Sequence, residues 1–580
     1  MAKTFKKYYQ FIFRYRGAFA VFIAVAVFSG AVNNIIPYLY KLLIDSITEK
    51  NYSTLMGIVS IFIGAKFADN ILDNLSYYLS DRVFIPTSQD IRRTVFKHIQ
   101  KLDFAYHTNK STGSLISAFK RGDNAFWNLS HNLHREVLYV LVGLAITLFF
   151  LGRVDPVFII LLLVTFVGNS FIGWKLLKHN MGTREAMNKV EDDVSAVITD
   201  NLINYETVKY FAQEEKEAQR LDIHLKDLIK KIWSFSISFR IIGLTVGGLS
   251  NLGALVILWL AVEKLIAGDI SAGDFIMVIA FIQSFYFQFF GLLYSFRNIA
   301  KSYIDIDRYL SILDEEIIVK DPNNPVEIKS LRGEINFDNV SFSYPDGKGR
   351  VLKDINLKIL PGESIAFVGR SGVGKTTLIK LLLRFFDVTQ GKITIDGVNI
   401  KNVTKSNLRS YIGVVPQEPI LFNNTIGFNI AYGHTNPTEK EISAAVKMAN
   451  LDKFINGLPE KYETQVGERG IKLSGGQKQR LAIARMILSD PKIIIFDEAT
   501  SNLDSESERL IQNSLWKIAK DKTVLIIAHR FSTIMKAEKI VVMNYGEITE
   551  TGSHRKLTAD KKGIYYHLWR LQTKGHNLSL

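Results

Sequence analysis

Apolar residues are spread unevenly along this chain. Through roughly the first 300 positions they gather into runs with few charges, at about Gly17–Ile44, Leu55–Leu79, Val137–Gly152, Pro156–Leu177, Ile241–Ile266 and Phe275–Ile299. A bilayer-spanning helix needs about 20 mostly apolar residues, so each run predicts a membrane span. The second is interrupted by Lys66, Asp69 and Asp73, and the third is short unless it starts earlier, near Trp127. The stretches Arg82–Asn124 and Lys178–Arg240 carry no apolar span yet remain helix-compatible. They predict membrane helices that run on into water and turn back at short polar turns near His107–Gly113 and Tyr205–Glu215. Beyond Asp314 the pattern changes to short apolar runs between glycine-rich turns and helical segments, the signature of an α/β domain. The expected division is a helical membrane domain at 1–313, a linker at 314–330 containing Asp321-Pro322-Asn323-Asn324-Pro325, an α/β domain at 331–574, and a tail at 575–580.

Composition agrees with two unlike halves. The 580 residues exceed one compact domain, and 47% hydrophobic beside 22% charged suits neither a wholly soluble nor a wholly membrane-embedded chain. The net charge is +15; lysine and arginine crowd the N-terminus (Lys3, Lys6, Lys7, Arg14, Arg16) and the long connection after the second span, and the one after the fourth is equally rich in lysine. The other connections, Asp45–Thr54, Gly152–Asp155 and Ala267–Asp274, are short. Positive residues stay on the cytoplasmic side, so both termini and both long connections are expected there, in a multi-pass protein of a bacterial cytoplasmic membrane. The basic excess then belongs to loops beside lipid, and no zinc-finger spacing or base-stacking motif argues for a nucleic-acid partner. Cysteine is absent, which excludes disulfides, thiolate metal sites and cysteine nucleophiles. The opening MAKTFKKYYQFIFRYR reads as an interfacial lead-in to the first span, not as a cleavable targeting segment.

Polar groups within spans are functional candidates because burying them in lipid is costly. Lys66, Asp69 and Asp73 fall on one helical face; they either pair internally or line a substrate cavity. Phe281, Phe285 and Phe289 form a stripe on the last span, with Tyr286, Phe290 and Tyr294 nearby. Such a stripe faces lipid, neighbouring helices or a transported molecule. Asn251 joins these residues as a cavity candidate.

The second half carries recognisable chemistry. Ser364-Ile-Ala-Phe-Val is a buried-strand run leading into Gly369, Arg370, Ser371, Gly372, Val373, Gly374, Lys375, Thr376 and Thr377. This is a P-loop: its glycines let backbone N–H groups surround phosphates at a helix start. Lys375 is placed for the β- and γ-phosphates of ATP and Thr376 for Mg²⁺. Ile493–Phe496 forms another buried strand ending in Asp497 and Glu498. Asp497 suits a Mg²⁺ ligand, and Glu498 could polarise an attacking water; an ordinary helix cap is the plainer alternative. Leu473-Ser-Gly-Gly-Gln477 before a helix makes a second phosphate-binding nest from Ser474, Gly475, Gly476 and Gln477. One chain has no second γ-phosphate to fill it.

At this point the sequence resembles the ABC transporter ATPases, in which two nucleotide domains sandwich two ATP molecules between one P-loop and the opposite LSGGQ. The resemblance implies that Tyr344, in Phe342-Ser-Tyr-Pro345, stacks on adenine and that Gln417, in Val415-Pro-Gln-Glu418, is the Q-loop residue near Mg²⁺. It further implies that Gly467-Glu-Arg-Gly470 is the exporter-specific segment, that Asp504 closes the D-loop in Ser501-Asn-Leu-Asp504, and that His529 is the switch histidine. Six spans followed by one ATPase is similar to the half-transporter layout of ABC exporters. That layout implies a homodimer, or a pair with a related half-transporter, bathed in membrane lipid and moving a small molecule out of the cytoplasm. The tip Asn204-Tyr-Glu-Thr-Val-Lys-Tyr-Phe211 resembles the coupling segment of exporters linked to iron–sulfur precursors, glutathione conjugates and heavy metals. Asn251-Leu-Gly-Ala254 and Tyr294-Ser-Phe-Arg297 differ from that group's pattern. A lipid or amphiphilic cargo and a glutathione- or metal-linked one both stay open, as does a channel or receptor that uses the same frame without pumping.

Overall fold

The computed structural model describes residues 2–110, 112–345, 347, 349–497, 505–527 and 531–576. The chain divides into two compact units, 1–101 with 110–315, and 102–109 with 316–580.

The first unit is helical. Its helices are α1 (Ala2–Ile12), α2 (Arg16–Asn34), α3 (Ile36–Thr48), α4 (Tyr52–Lys101), α6 (Thr112–His131), α7 (Val137–Val154), α8 (Pro156–Ile203), α9 (Tyr205–Tyr210), α10 (Glu214–Ala267) and α11 (Ala272–Ser311), while α5 (Phe104–Asn109) falls in the second unit. Six helical stretches, Ala2–Thr48, Tyr52–Lys101, Leu115–Val154, Pro156–Ile203, Glu214–Ala267 and Ala272–Asp314, are long and apolar enough to cross a membrane. At about 1.5 Å per residue, α8 with 48 residues and α10 with 54 are more than twice the roughly 30 Å of a hydrocarbon core. The expected polar turns between helices are instead six-residue helices, α5 and α9, and the first begins three residues before His107.

Local chemistry sets the helix ends. The Asp155 carboxylate accepts the Val157 N–H at 2.8 Å with Pro156 in the first turn, and Ser271 and Asp274 form a capping box. Gly268, with φ +83°, closes α10 in the left-handed conformation that glycine adopts without strain.

Helices α8 and α10 lie side by side and are stitched by buried polar pairs. The Asn169 amide donates to Ser250 at 3.1 Å and the Asn180 amide to Ser238 at 2.8 Å, while Lys264 pairs with Asp155 at 2.5 Å. Small polar contacts of this kind fix helix register where water does not compete. Elsewhere α1 is tied to the end of α11: Lys3 and Lys7 pair with Asp314 at 3.0 and 2.7 Å, Lys7 also donates to the Leu310 carbonyl at 3.0 Å, and Thr4 donates to Asp307. Tyr8, Phe22, Phe84 and Phe126 are buried behind this latch, around His134 in a π-helical turn at Asn132–Glu136.

The second unit holds two sheets. Strands β1 (Ile335–Phe342), β2 (Leu352–Ile359), β4 (Gln390–Ile395) and β5 (Val398–Asn399) form an antiparallel sheet in the order β2-β1-β4-β5. Strands β3 (Ser364–Val368), β6 (Ile412–Val415), β7 (Ile493–Asp497), β8 (Thr523–Ile527), β9 (Lys539–Asn544) and β10 (Glu547–Gly552) form the other, in the order β10-β9-β3-β8-β7-β6. All neighbours in that sheet pair in parallel except β10 with β9. The apolar runs of β3 and β8 are buried along their whole length, as a parallel sheet covered on both faces requires.

Arg384 is nearly inaccessible. Its guanidinium donates to the Val403 carbonyl at 2.9 Å and the Lys320 carbonyl at 2.7 Å, and pairs with Asp387 at 3.1 Å. Arg384→Ala leaves two carbonyls and a carboxylate unsatisfied. We expect a loss of about 2–3 kcal/mol and a thermal midpoint lower by roughly 4–10 °C, read by nucleotide-free melting of the purified protein. An unchanged midpoint would show that these contacts contribute nothing net.

Candidate functional site

The parallel sheet brings its chemistry to one edge. Phe367 of β3 pairs with Ile527 of β8, Asp497 of β7 pairs with the same Ile527, and Val415 of β6 pairs with Phe496. The carboxyl ends of four adjacent strands are thus level. Residues that leave those ends, or terminate them, are the P-loop after Val368, Gln417 after Val415, and Asp497 itself. In open α/β sheets this edge is where ligands bind. Glu498, Asp504 and His529 lie outside the described residues.

The P-loop runs from β3 into α12 (Lys375–Leu382). Gly374 has φ +104°, and a Cβ there would lie 2.5 Å from the Leu352 side chain, so both backbone and space demand glycine. Gly372, at φ +83°, faces open space and lets the loop curl. Lys375 is only 6% exposed, and its ammonium group donates back to the carbonyls of Gly369 at 2.7 Å and Arg370 at 3.0 Å. A cation held inside a ring of amides at a helix start suits a polyphosphate. Arg370, Ser371 and Thr376 are exposed at the rim, and Val373 is half-buried. The hydroxyl of Thr376, the side-chain oxygen of Gln417 and the carboxylate of Asp497 make an all-oxygen donor set, the kind that suits Mg²⁺.

Tyr344 stands beside α12. Its hydroxyl is 3.0 Å from the hydroxyl of Thr377, and its ring meets Phe342 and Phe386 edge-on at 4.9 and 5.2 Å. Ser474 caps the helix Gly475–Leu488: its side chain accepts the Gln477 N–H at 3.3 Å, and the Gln477 side chain accepts the Ser474 N–H at 2.9 Å. Ser474 and Gly475 are exposed. The nest at that helix start therefore opens outward, with its hydroxyl already engaged as the cap.

In the helical unit a cavity of about 570 Å³ lies among α7, α8 and α11. Its walls include Val140, Phe166, Trp174, Met181, Phe289 and Phe296, and among the described residues Lys178 is the one charged residue lining it. Of the cavity candidates chosen from sequence, only Phe289 reaches it. Phe281 and Phe285 are buried against Phe150 and Phe166, because aromatic rings on a helix-spaced stripe find partners on neighbouring helices. Asp73 pairs with Arg135 at 2.6 Å and Asp69 accepts from Asn33 at 2.7 Å, so internal pairing describes both. Lys66 and Asn251 are exposed elsewhere. Sequence reasoning passed over Trp174 and Lys178. The available signal was their four-residue spacing at the end of the fourth apolar run.

Two family models match the chain, the ABC transporter transmembrane region over residues 19–289 and the ABC transporter domain over residues 352–501. ATP-binding cassette sub-family B member 6 of Mesocricetus auratus is 36% identical over 94% of this chain, and the chain spans 66% of that relative, just under two thirds of its length. The heavy metal tolerance protein of Schizosaccharomyces pombe is 36% identical over 97% of this chain and 68% of its own length. A solved structure of a bacterial Atm1-family ABC exporter with ATP bound superposes with a TM-score of 0.85 at 30% identity, over 96% of this chain and 99% of that one. With six membrane-spanning helices ahead of one P-loop ATPase domain, this chain belongs to the ABC transporter family, as a half-transporter of the B-subfamily and Atm1 type.

The strain at Gly374 gives a direct check. Gly374→Ala should weaken ATP binding at least about tenfold, since a left-handed alanine and its displaced neighbour deform the amide ring. Nucleotide-dependent thermal stabilisation reads this, and wild-type stabilisation would show that the loop tolerates a Cβ.

Proposed function

We propose that the chain works as an ATP-driven exporter, in pairs, by alternating access. The observation that carries this reading is the level edge of four strand ends with a P-loop at its centre, on the same polypeptide as six membrane spans. In this reading the amides from Gly369 to Thr377 and the Lys375 ammonium hold the phosphates, Tyr344 supports the base, and Thr376, Gln417 and Asp497 hold Mg²⁺. Bound Mg-ATP supplies the phosphoanhydride whose hydrolysis drives the cycle. Glu498 orients a water and accepts its proton, and His529 donates toward the terminal phosphate. The Ser474–Gln477 helix start opens outward in a single chain, which suits a second copy arranged head to tail so that each signature helix, with Asp504, completes the other's site. The basic N-terminus and long connections support a cytoplasmic position for both termini.

The cargo class follows from the cavity. Lys178 lies 22 residues beyond Pro156 along α8, about 33 Å by helix rise, at the cytoplasmic end of the span in this orientation. Apolar walls with the Lys178 cation at one end suit an amphiphile with a large apolar body and an anionic end group. A second reading, prompted by the fission-yeast relative's name, is a metal carried as a conjugate. The chain has no cysteine, so any thiolate holding a soft metal must arrive with the cargo, and the conjugate's carboxylates would meet the same Lys178.

ATPase activity in proteoliposomes, titrated with anionic and cationic amphiphiles and a metal–glutathione conjugate, tests these readings. Lys178→Ala should raise the half-stimulating concentration of an anionic amphiphile by about tenfold or more and leave that of a cationic one unchanged. Equal effects on both would remove Lys178 from the cargo site. Glu498→Gln should retain ATP binding while turnover falls at least about 100-fold, with the protein trapped as a dimer by mass measurement. Near wild-type turnover would sink the base assignment, and full activity in a monomer would sink the paired reading.

A further inference from the structure

Residues 102–109 group with the ATPase unit, although the chain enters them from α4 and leaves them into α6. Phe104, the first residue of α5, stacks face to face on Phe385 with ring centroids 4.7 Å apart and planes within 6°. It also meets Phe386 edge-on at 6.3 Å. The Lys380 ammonium sits 5.3 Å from the Phe104 ring and 6.0 Å from the Tyr344 ring. Lys380 belongs to α12, the helix that Lys375 opens, and Phe385 and Phe386 lie three and four residues past its last residue, Leu382. The seat of the tip is therefore built from the far end of the P-loop helix and from the ring that backs Tyr344.

The connection between the two units is pinned at the same place. Asp103 accepts the backbone N–H groups of Ile318 and Val319 at 2.5 and 3.2 Å. Lys405 donates to the Val319 carbonyl at 2.6 Å, and Arg384 donates to the Lys320 carbonyl at 2.7 Å. Arg409 holds the end of α12 by donating to the carbonyls of Leu383 and Arg384 at 2.9 and 3.1 Å, with its guanidinium 4.8 Å from the Phe385 ring. A shift of α12 or of Phe386 moves the surface on which Phe104 rests.

We infer that Phe104, Lys380 and Phe386 form a relay by which a base seated on Tyr344 sets the position of the first cytoplasmic tip, with Phe104 as the positioning residue. The inference rests on the reading of Tyr344 as the base platform. Tyr344 touches Phe386 and shares Lys380 with Phe104, so base binding and tip seating draw on one set of rings and one cation. Stacked pairs and cation–π contacts depend strongly on ring orientation. A base that reorients Tyr344 thus changes the grip on Phe104 as well.

The natural absence of cysteine permits a single reporter. A fluorophore on Thr108→Cys, in the full chain in nanodiscs with Glu498→Gln to halt turnover, reports the environment of the tip as ATP is added. Coupling is measured in the same backgrounds with Glu498 intact, as transport per ATP hydrolysed. Phe104→Ala should keep the ATP dissociation constant within about twofold while the reporter's ATP response and the coupling fall about fivefold or more. Phe104→Tyr, which keeps the stack, should restore both. Phe104→Leu keeps the volume without the π-face and should behave as the alanine variant does, which covers failure of the alanine variant to fold. A wild-type response and wild-type coupling in a folded Phe104→Ala or Phe104→Leu variant overturn the relay. Tyr344→Leu separates the underlying reading: unweakened ATP binding there removes the base platform and the base-sensing relay with it, whereas weakened ATP binding with a wild-type Phe104→Ala response overturns the relay alone.

Discussion

A peptide group inside hydrocarbon has no water to bond, and this constraint organises the first half of the molecule. Each crossing segment must close its own hydrogen bonds, so each is a helix, and nothing in the sequence of α8 or α10 stops it at the lipid boundary. Both continue unbroken to lengths that a bilayer does not need. Continuity makes them levers, since a bend at the boundary would absorb the displacement that an unbroken helix passes on. The side-chain pairs Asn169–Ser250, Asn180–Ser238 and Asp155–Lys264 then keep the two rods in register along the first half of α8.

The ATPase half answers a different constraint. Parallel strands need crossovers, the crossovers cover both faces, and only the strand ends remain for chemistry. The register that levels Phe367, Ile527 and Asp497, with Val415 beside Phe496, places cation, carboxylate and amide within one short edge. Helix α12 connects this edge to the rest of the unit: its first turn carries Lys375 and Thr376, while its last turn carries Lys380 and leads into the rings that receive Phe104. Two ends of an eight-residue helix therefore face two different tasks.

Sequence made the large features legible because their signals are local. A run of apolar residues is a span whatever surrounds it, and a P-loop carries strand, turn and helix start in one continuous segment. The cavity was not legible in the same way. Phe281, Phe285 and Phe289 share one stripe, yet only the last meets open space, and that depends on Phe150 and Phe166 from helices more than 100 positions earlier in the chain. Asp73 was equally compatible with internal pairing and with a cavity wall, because its partner Arg135 lies 62 positions later in the chain. Phe104 gave no signal at all, as an aromatic in a short polar stretch whose partners lie in the other half of the chain. The polar turns proved helical because six residues suffice for about one and a half helical turns, a length at which composition says little.

The latch between α1 and the end of α11 joins residues about 300 positions apart in the chain: Thr4 with Asp307, and Lys7 with Leu310 and Asp314. During synthesis at about 5–20 residues per second, the N-terminal helix would wait roughly 15–60 s for its partner to emerge. Over that interval Tyr8, Phe11 and Ile12, all buried in the finished unit, need another place to hide. An amphipathic helix with lysines on its polar side can rest in the headgroup region meanwhile. The face that closes the finished bundle is thus chemically able to moor on a membrane surface until the last span emerges to take it.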